Sequence, residues 1–174
     1  ILIYYNSNVN RRERISIMSM KPDTAAILSK EQKDMLFFIY QVEKVARDVY
    51  ITLSKIHENE STFALMKYAE QRDVDCAREL CNIYGVETSK IDEDAVGKFD
   101  SPVLQTLYDE CTEKGKRSLL DALEVGEFLE TTDIEDLEQA SVGMPRDIVD
   151  VYSKLRIRNM THLGAFQTRI LKAA

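Results

Sequence analysis

Apolar positions return every three or four residues along almost the whole chain after Ser29, the period of an amphipathic helix rather than of a strand. In the first helical stretch Met35, Phe38, Ile39, Val42, Val45, Ala46, Val49, Leu53 and Ile56 hold one face over about six turns. Ser29 with Gln32 forms an S-x-x-Q capping box at its start, and the helix is expected to end near His57. Ser61 or Thr62 caps a second helix, which closes at Gly85. A polar connection, 86–100, leads to Ser101-Pro102, an N-cap followed by proline at the first helical position, and to a short helix ending near Lys114-Gly115. Ser118 caps a fourth helix with Leu119, Leu123, Gly126, Leu129 and Leu137 inward. Pro145 opens a fifth with Ile148, Val151, Leu155, Phe166 and Ile170 inward. Beyond the first five residues no strand pattern competes. The expectation is an all-α protein, a four-helix bundle of two antiparallel hairpins with a short extra helix in the crossover, a topology that can hold metals between facing helices.

Three of these helices break their own pattern. Glu70 with Asp73, Glu130 with Asp133, and Asn159 with His162 are polar pairs spaced i, i+3, and each pair falls on the face that should be apolar. Glu43 flanks the apolar stripe of the first helix, while Lys44 and Asp48 are expected further outward. A buried, unpaired carboxylate is costly enough to be neutralised, paired or bound to a cation. Several such groups from separate helices therefore point to a common metal. Glu43 precedes Glu70 by 27 residues and Glu130 precedes Asn159 by 29, so each half offers a carboxylate followed by a polar i, i+3 pair, as in a pseudo-twofold repeat. Glu43, Glu70, Asp73, Glu130 and Asp133 with His162 and Asn159 make a mostly hard oxygen set. Such a set suits iron, manganese or magnesium better than zinc or copper, and its charge suits two metals sharing carboxylates. Asp133 and Asn159 are second choices, as ligands or as groups that orient ligands. The bland alternative is a network of hydrogen bonds and ion pairs with Arg47, Arg72 or Arg158.

Composition narrows the options further. The 174 residues, 44% hydrophobic, can bury a real core in one domain. Thirty acidic residues against 23 basic ones give a net charge of −7, which disfavours capture of nucleic acid or of an anionic membrane. Cys76, Cys81 and Cys111 are an odd number without C-x-x-C, so no disulfide framework or thiolate zinc site is indicated and a reducing cytoplasm fits best. They read as inert core or boundary residues, Tyr50, Tyr68 and Tyr152 as packing groups, and His57 as a surface partner of a helix C-terminus. Residues 1–28, with their β-prone start, their basic patch at Arg11, Arg12 and Arg14, and Met18 and Met20, read as an extension appended to a domain over 29–174. A homo-oligomer, a dimer, is the expected assembly.

The strings Glu43-Lys44-Val45-Ala46-Arg47-Asp48-Val49-Tyr50, Glu70-Gln71, Leu104-Gln105-Thr106-Leu107-Tyr108-Asp109, Ser118 to Gly126, Asp133 to Leu137, Val151-Tyr152 and His162-Leu163-Gly164-Ala165-Phe166 resemble a prokaryotic ferritin-like family of uncharacterised function, distantly similar to rubrerythrins. The resemblance spans about residues 30–171 and implies a ferritin-like bundle. In ferritin-like proteins a Glu from one helix and an E-x-x-H from the next, repeated in the second half, bind two irons. The resemblance therefore matches Glu43, Glu70, Glu130 and His162 to ligand positions. Two departures stand out. Members of the resembled family usually show S-E-Q-x-H-M where this chain has Ala69-Glu70-Gln71-Arg72-Asp73-Val74, and the second E-x-x-H is here Asn159-x-x-His162. Asp73 thus replaces a histidine.

The leading expectation is a non-haem dimetal carboxylate protein holding iron or manganese, an oxidase, a peroxidase or an iron-handling protein, with no particular catalytic residue singled out. The alternative is a metal-free helical module acting through oligomerisation or partner binding. Magnesium-dependent chemistry on a phosphorylated ligand is weaker, since no P-loop or Gly-rich phosphate cradle is present.

Overall fold

The structure, a computed structural model, describes residues 27–173, and the expectations for residues 1–26 lie outside it. Five helices and no strand occur among the described residues: α1 (Lys30–Ile56), α2 (Ser61–Ile83), α3 (Pro102–Gly115), α4 (Leu119–Ala140) and α5 (Arg146–Ala173). Their ends follow local chemistry. Ser29 and Gln32 close the capping box of α1. Ser101 and Ser118 cap α3 and α4. At the end of α2, Gly85 takes φ +62°, while Val86 N–H donates to Cys81 O and Gly85 N–H to Asn82 O, the paired bonds of a Schellman ending. The start of α2 differs from expectation. Its cap is Glu60, which accepts from the Thr62 backbone N–H at 3.0 Å and is held in place by Arg169 of α5. A carboxylate there faces the positive end of the helix dipole.

The long helices form a ring of neighbours in the order α1, α2, α5, α4, with α1 packed on α2 and α4 on α5, and α3 lying outside against α1 and α4. Two apolar clusters fill the ring. One gathers Leu36, Ile39, Leu80, Leu137, Ile148 and Leu155, and the other Val49, Leu53, Phe63, Leu123, Leu129 and Phe166. On α2, α4 and α5 the candidate site residues fall between the stretches that feed the two clusters, and on α1 Glu43 sits beside Val42 and Val45 of the second, so hydrocarbon flanks the polar layer on both sides.

Several expectations need correction. Lys44 and Asp48 do not point into solvent: α1 is buried continuously from Gln41 to Tyr50, because the 86–100 connection lies over its outer face. Met35 and Ile56, at the ends of the stripe, are exposed, and Leu36 takes the inward position. Tyr68 is 68% exposed rather than packed. His57 is half-buried and joins α1 to the end of α3, its Nε2 2.8 Å from Gly115 O.

Candidate metal centre

Four helices deliver the cluster. α1 contributes Glu43, α2 Glu70 and Asp73, α4 Glu130 and Asp133, and α5 Asn159 and His162. The i, i+3 spacing stacks each pair on one helix face, and the apolar residues above and below turn that face inward. All seven side chains are buried; Glu43, Glu70, Asp73, Glu130 and Asn159 have no exposed surface.

The donors fall into two sets that share Glu70. One potential ligand atom from each of Glu70, Glu130 and His162 lies within 4.8 Å of the others, and the same holds for Glu43, Glu70 and Asp73. Asp133 belongs to neither set, though it is near enough to act electrostatically on Glu43. His162 Nδ1 stands 2.8 Å from Glu70 Oε1 and 3.4 Å from Glu130 Oε2. Tyr50 donates its hydroxyl proton to Glu130 Oε1 at 2.7 Å. Arg158 Nη2 lies 2.5 Å from Asp73 Oδ1. Around these contacts much is left without a partner among the described residues: both oxygens of Glu43, both amide atoms of Asn159, Glu70 Oε2, Asp73 Oδ2 and Asp133 Oδ2.

Electrostatics follow from the crowding. Burial, with the negative charges of Asp73, Asp133, Glu70 and Glu130, holds the Glu43 carboxyl well above the usual carboxylate range. Burial and the Glu130 and Glu70 charges do the same to Asp133. Glu70 is pushed up to about 8 by burial and Glu130, against the opposing pull of His162. Asp73 is raised by burial despite Arg158. Burial disfavours the charged imidazole of His162, but Glu130 and Glu70 beside it outweigh that and raise it to about 11. Without a cation, the cluster keeps protons at neutral pH and titrates as a unit.

The structure buries all seven residues named from the pattern and brings Glu43, Glu70, Asp73, Glu130 and His162 together in the two sets, without Asp133 and Asn159, and the pairing with Arg158 raised as the bland alternative is present for Asp73. What sequence reading gave too small a part is Tyr50, whose hydroxyl is a hydrogen-bond donor to Glu130 rather than a packing atom alone. The signal was the placement of Tyr50 seven residues after Glu43, two helical turns along the same face. Tyr152 is buried with its hydroxyl unpartnered among the described residues.

The model of a family described as an uncharacterized protein domain, DUF2202, matches residues 32–173. The uncharacterized protein MJ0754 of Methanocaldococcus jannaschii is 34% identical over 155 residues, covering 88% of this chain and 80% of its own length. A crystal structure of hypothetical protein MJ0754 from Methanococcus jannaschii is similar with a TM-score of 0.83 and 31% identity, over 89% of this chain and 87% of that one.

Proposed function

Because the chain belongs to the DUF2202 family, whose description states no activity, its function has to be read from the interior cluster, and we propose that it is a ferritin-like, non-haem dimetal carboxylate protein that holds iron or manganese. The observation that supports this most is Glu43. It is a carboxylate with no exposed surface, neither of its oxygens has a partner among the described residues, and it stands within ligand distance of Glu70 and Asp73. A cation between these groups removes the cost of burying them. The residues fit such a group: hard oxygens predominate, one imidazole is present, and Glu70 is common to both ligand sets, where a bridging carboxylate would sit. Bound iron or manganese would supply redox chemistry with oxygen or peroxide and Lewis acidity. The chain's own residues would do the rest. Glu43, Glu70, Asp73, Glu130 and His162 would hold the ions; Asp133 and Asn159 would orient those ligands or complete the ligation; Tyr50 fixes the Glu130 carboxylate; the two apolar clusters exclude bulk water.

A second reading, a metal-free helical module acting through oligomerisation or partner binding, draws support from the contacts Arg158–Asp73 and His162–Glu70, which partly neutralise the cluster internally. Metal analysis of protein purified without chelator, followed by an optical spectrum after anaerobic ferrous iron and then air, separates the two. The dimetal reading expects bound iron or manganese and a ferric absorption that grows on oxygenation. Protein that carries neither metal and gives the spectrum of free iron alone contradicts it.

A further inference from the structure

The two ligand sets differ in one respect that bears on how they fill. The Glu43–Glu70–Asp73 set has a resident cation, because Arg158 from α5 places Nη2 2.5 Å from Asp73 Oδ1. In the Glu70–Glu130–His162 set the carboxylates pair with the imidazole, itself a candidate ligand. A guanidinium stays charged at any working pH, so it cannot yield its place by losing a proton; it has to move. Room exists for that movement, since the Arg158 side chain is 21% exposed while that of Asp73 has no exposure at all. Both oxygens of Glu43, in the same set, remain without hydrogen-bond partners among the described residues, so the guanidinium does not saturate the subsite.

Resting on the dimetal reading, we propose that Arg158 is a built-in counter-cation that stands in for one of the two metals: the Glu70–Glu130–His162 subsite loads first, and the Glu43–Glu70–Asp73 subsite takes a second divalent ion only as Arg158 swings away from Asp73. The protein is then a one-metal protein at low metal and a two-metal protein at high metal. The arginine sets the gap between the two affinities. A guanidinium in place of metal charge also explains how a set of three buried carboxyls is tolerated in the metal-free protein.

Titration of metal-free protein with manganese(II) by calorimetry, with the bound metal counted after gel filtration, reads this directly. Wild type should bind one manganese tightly and a second at least about 10-fold more weakly; Arg158→Met, which keeps length and loses charge, should bring the second affinity up by about 10-fold or more. Two equal sites in the wild type, or a second site unmoved or weakened in Arg158→Met, overturns the inference and leaves the dimetal reading standing. No binding by either protein, of manganese(II) or of ferrous iron in the same titration under argon, overturns both. A readout on the unaltered chain guards against a variant that fails to fold. Arg158 Nη2 lies 3.6 Å from Cys76 Sγ, and Cys76 is the half-buried thiol while Cys81 and Cys111 are buried. Departure of Arg158 uncovers Cys76 and also removes the cation that favours its thiolate, so the rate at which an aromatic disulfide reagent modifies Cys76 should change with the second equivalent of manganese and not with the first. A rate that is flat across both equivalents contradicts the swing.

Discussion

Two polar clusters are buried equally in this bundle, and adjacent residues of α1 belong to opposite ones. Lys44 faces the 86–100 connection. Its three ammonium protons are spoken for: Asp48 Oδ2 at 2.6 Å, Ala95 O at 2.9 Å and Lys98 O at 3.2 Å. Asp48 in turn accepts from Arg47 Nε and Nη2 and from Gly97 N–H, so each oxygen takes two donors. Glu43, one residue earlier, faces the ring interior, and neither oxygen has a partner among the described residues. Burial is therefore not the sign of a ligand site. A buried charge with its hydrogen bonds complete is a fastener, whereas one left incomplete in the company of four other carboxylates is a place for a cation.

The comparison can be broken most forcibly from the satisfied side. Asp48→Ala would leave Lys44 and Arg47 buried against carbonyls and release Gly97, whose φ of +73° and contact with Tyr108 shape the connection. A loss of about 3–5 kcal/mol in denaturant unfolding is expected, the same with or without metal. A metal-dependent loss would mean that the two clusters are one.

The interior cluster should respond in the opposite direction. Glu43→Gln removes a carboxyl that burial and the neighbouring charges of Asp73, Asp133, Glu70 and Glu130 hold well above its usual range, and the new amide can donate to the carboxyls of Glu70, Asp73 or Asp133. Metal-free protein should gain stability, by about 1 kcal/mol if the amide completes one hydrogen bond, while manganese affinity falls by about 10-fold or more. Loss of stability in the metal-free variant would show that Glu43 is already satisfied.

A smaller effect is expected at Tyr50, which belongs to both worlds: its ring packs on Phe63 and Phe166 and its hydroxyl bonds Glu130. Tyr50→Phe should cost about 1–2 kcal/mol in metal-free protein through the lost hydrogen bond. With metal bound, the cost should shrink as the cation takes over the holding of Glu130. Thermal melts of the variant with and without manganese measure both, and an equal cost in the two states would remove Tyr50 from the site.

How much of this was legible in sequence follows from what each feature depends on. The helices and the inward turn of Glu70, Asp73, Glu130, Asp133, Asn159 and His162 depend on local periodicity and capping, and those are written in short stretches of chain. Lys44 and Asp48 were misplaced because their burial depends on the 86–100 connection, 38 residues or more further along the chain, folding back over α1. Helical periodicity cannot see a loop that covers the polar face. The Glu60 cap of α2 was hidden for the same reason, since Arg169 of α5 completes it. The sequence offers Arg47, Arg72 and Arg158 alike, and only the packing of α5 on α2 selects Arg158 for Asp73.

The central claim is that the interior cluster is a cation site, and melting temperature against pH, with and without manganese(II) under argon, tests it most directly. The sign follows from the direction of the shifts. Glu43, Glu70, Asp133 and His162 all hold protons more strongly folded than unfolded. Stability from those protons is therefore full below the unfolded values and is lost as pH rises through the folded ones, about 8 for Glu70 and about 11 for His162. Metal-free protein should melt lower at pH 8 than at pH 6. Metal ligation needs the same groups deprotonated, so the increment from manganese should grow over that interval, reaching about 2.7 kcal/mol at a hundredfold excess over the dissociation constant. A rising gap between the two curves from pH 6 to pH 8 is the result expected. Superimposed curves at both pH values, for manganese and equally for ferrous iron and magnesium, would contradict the account.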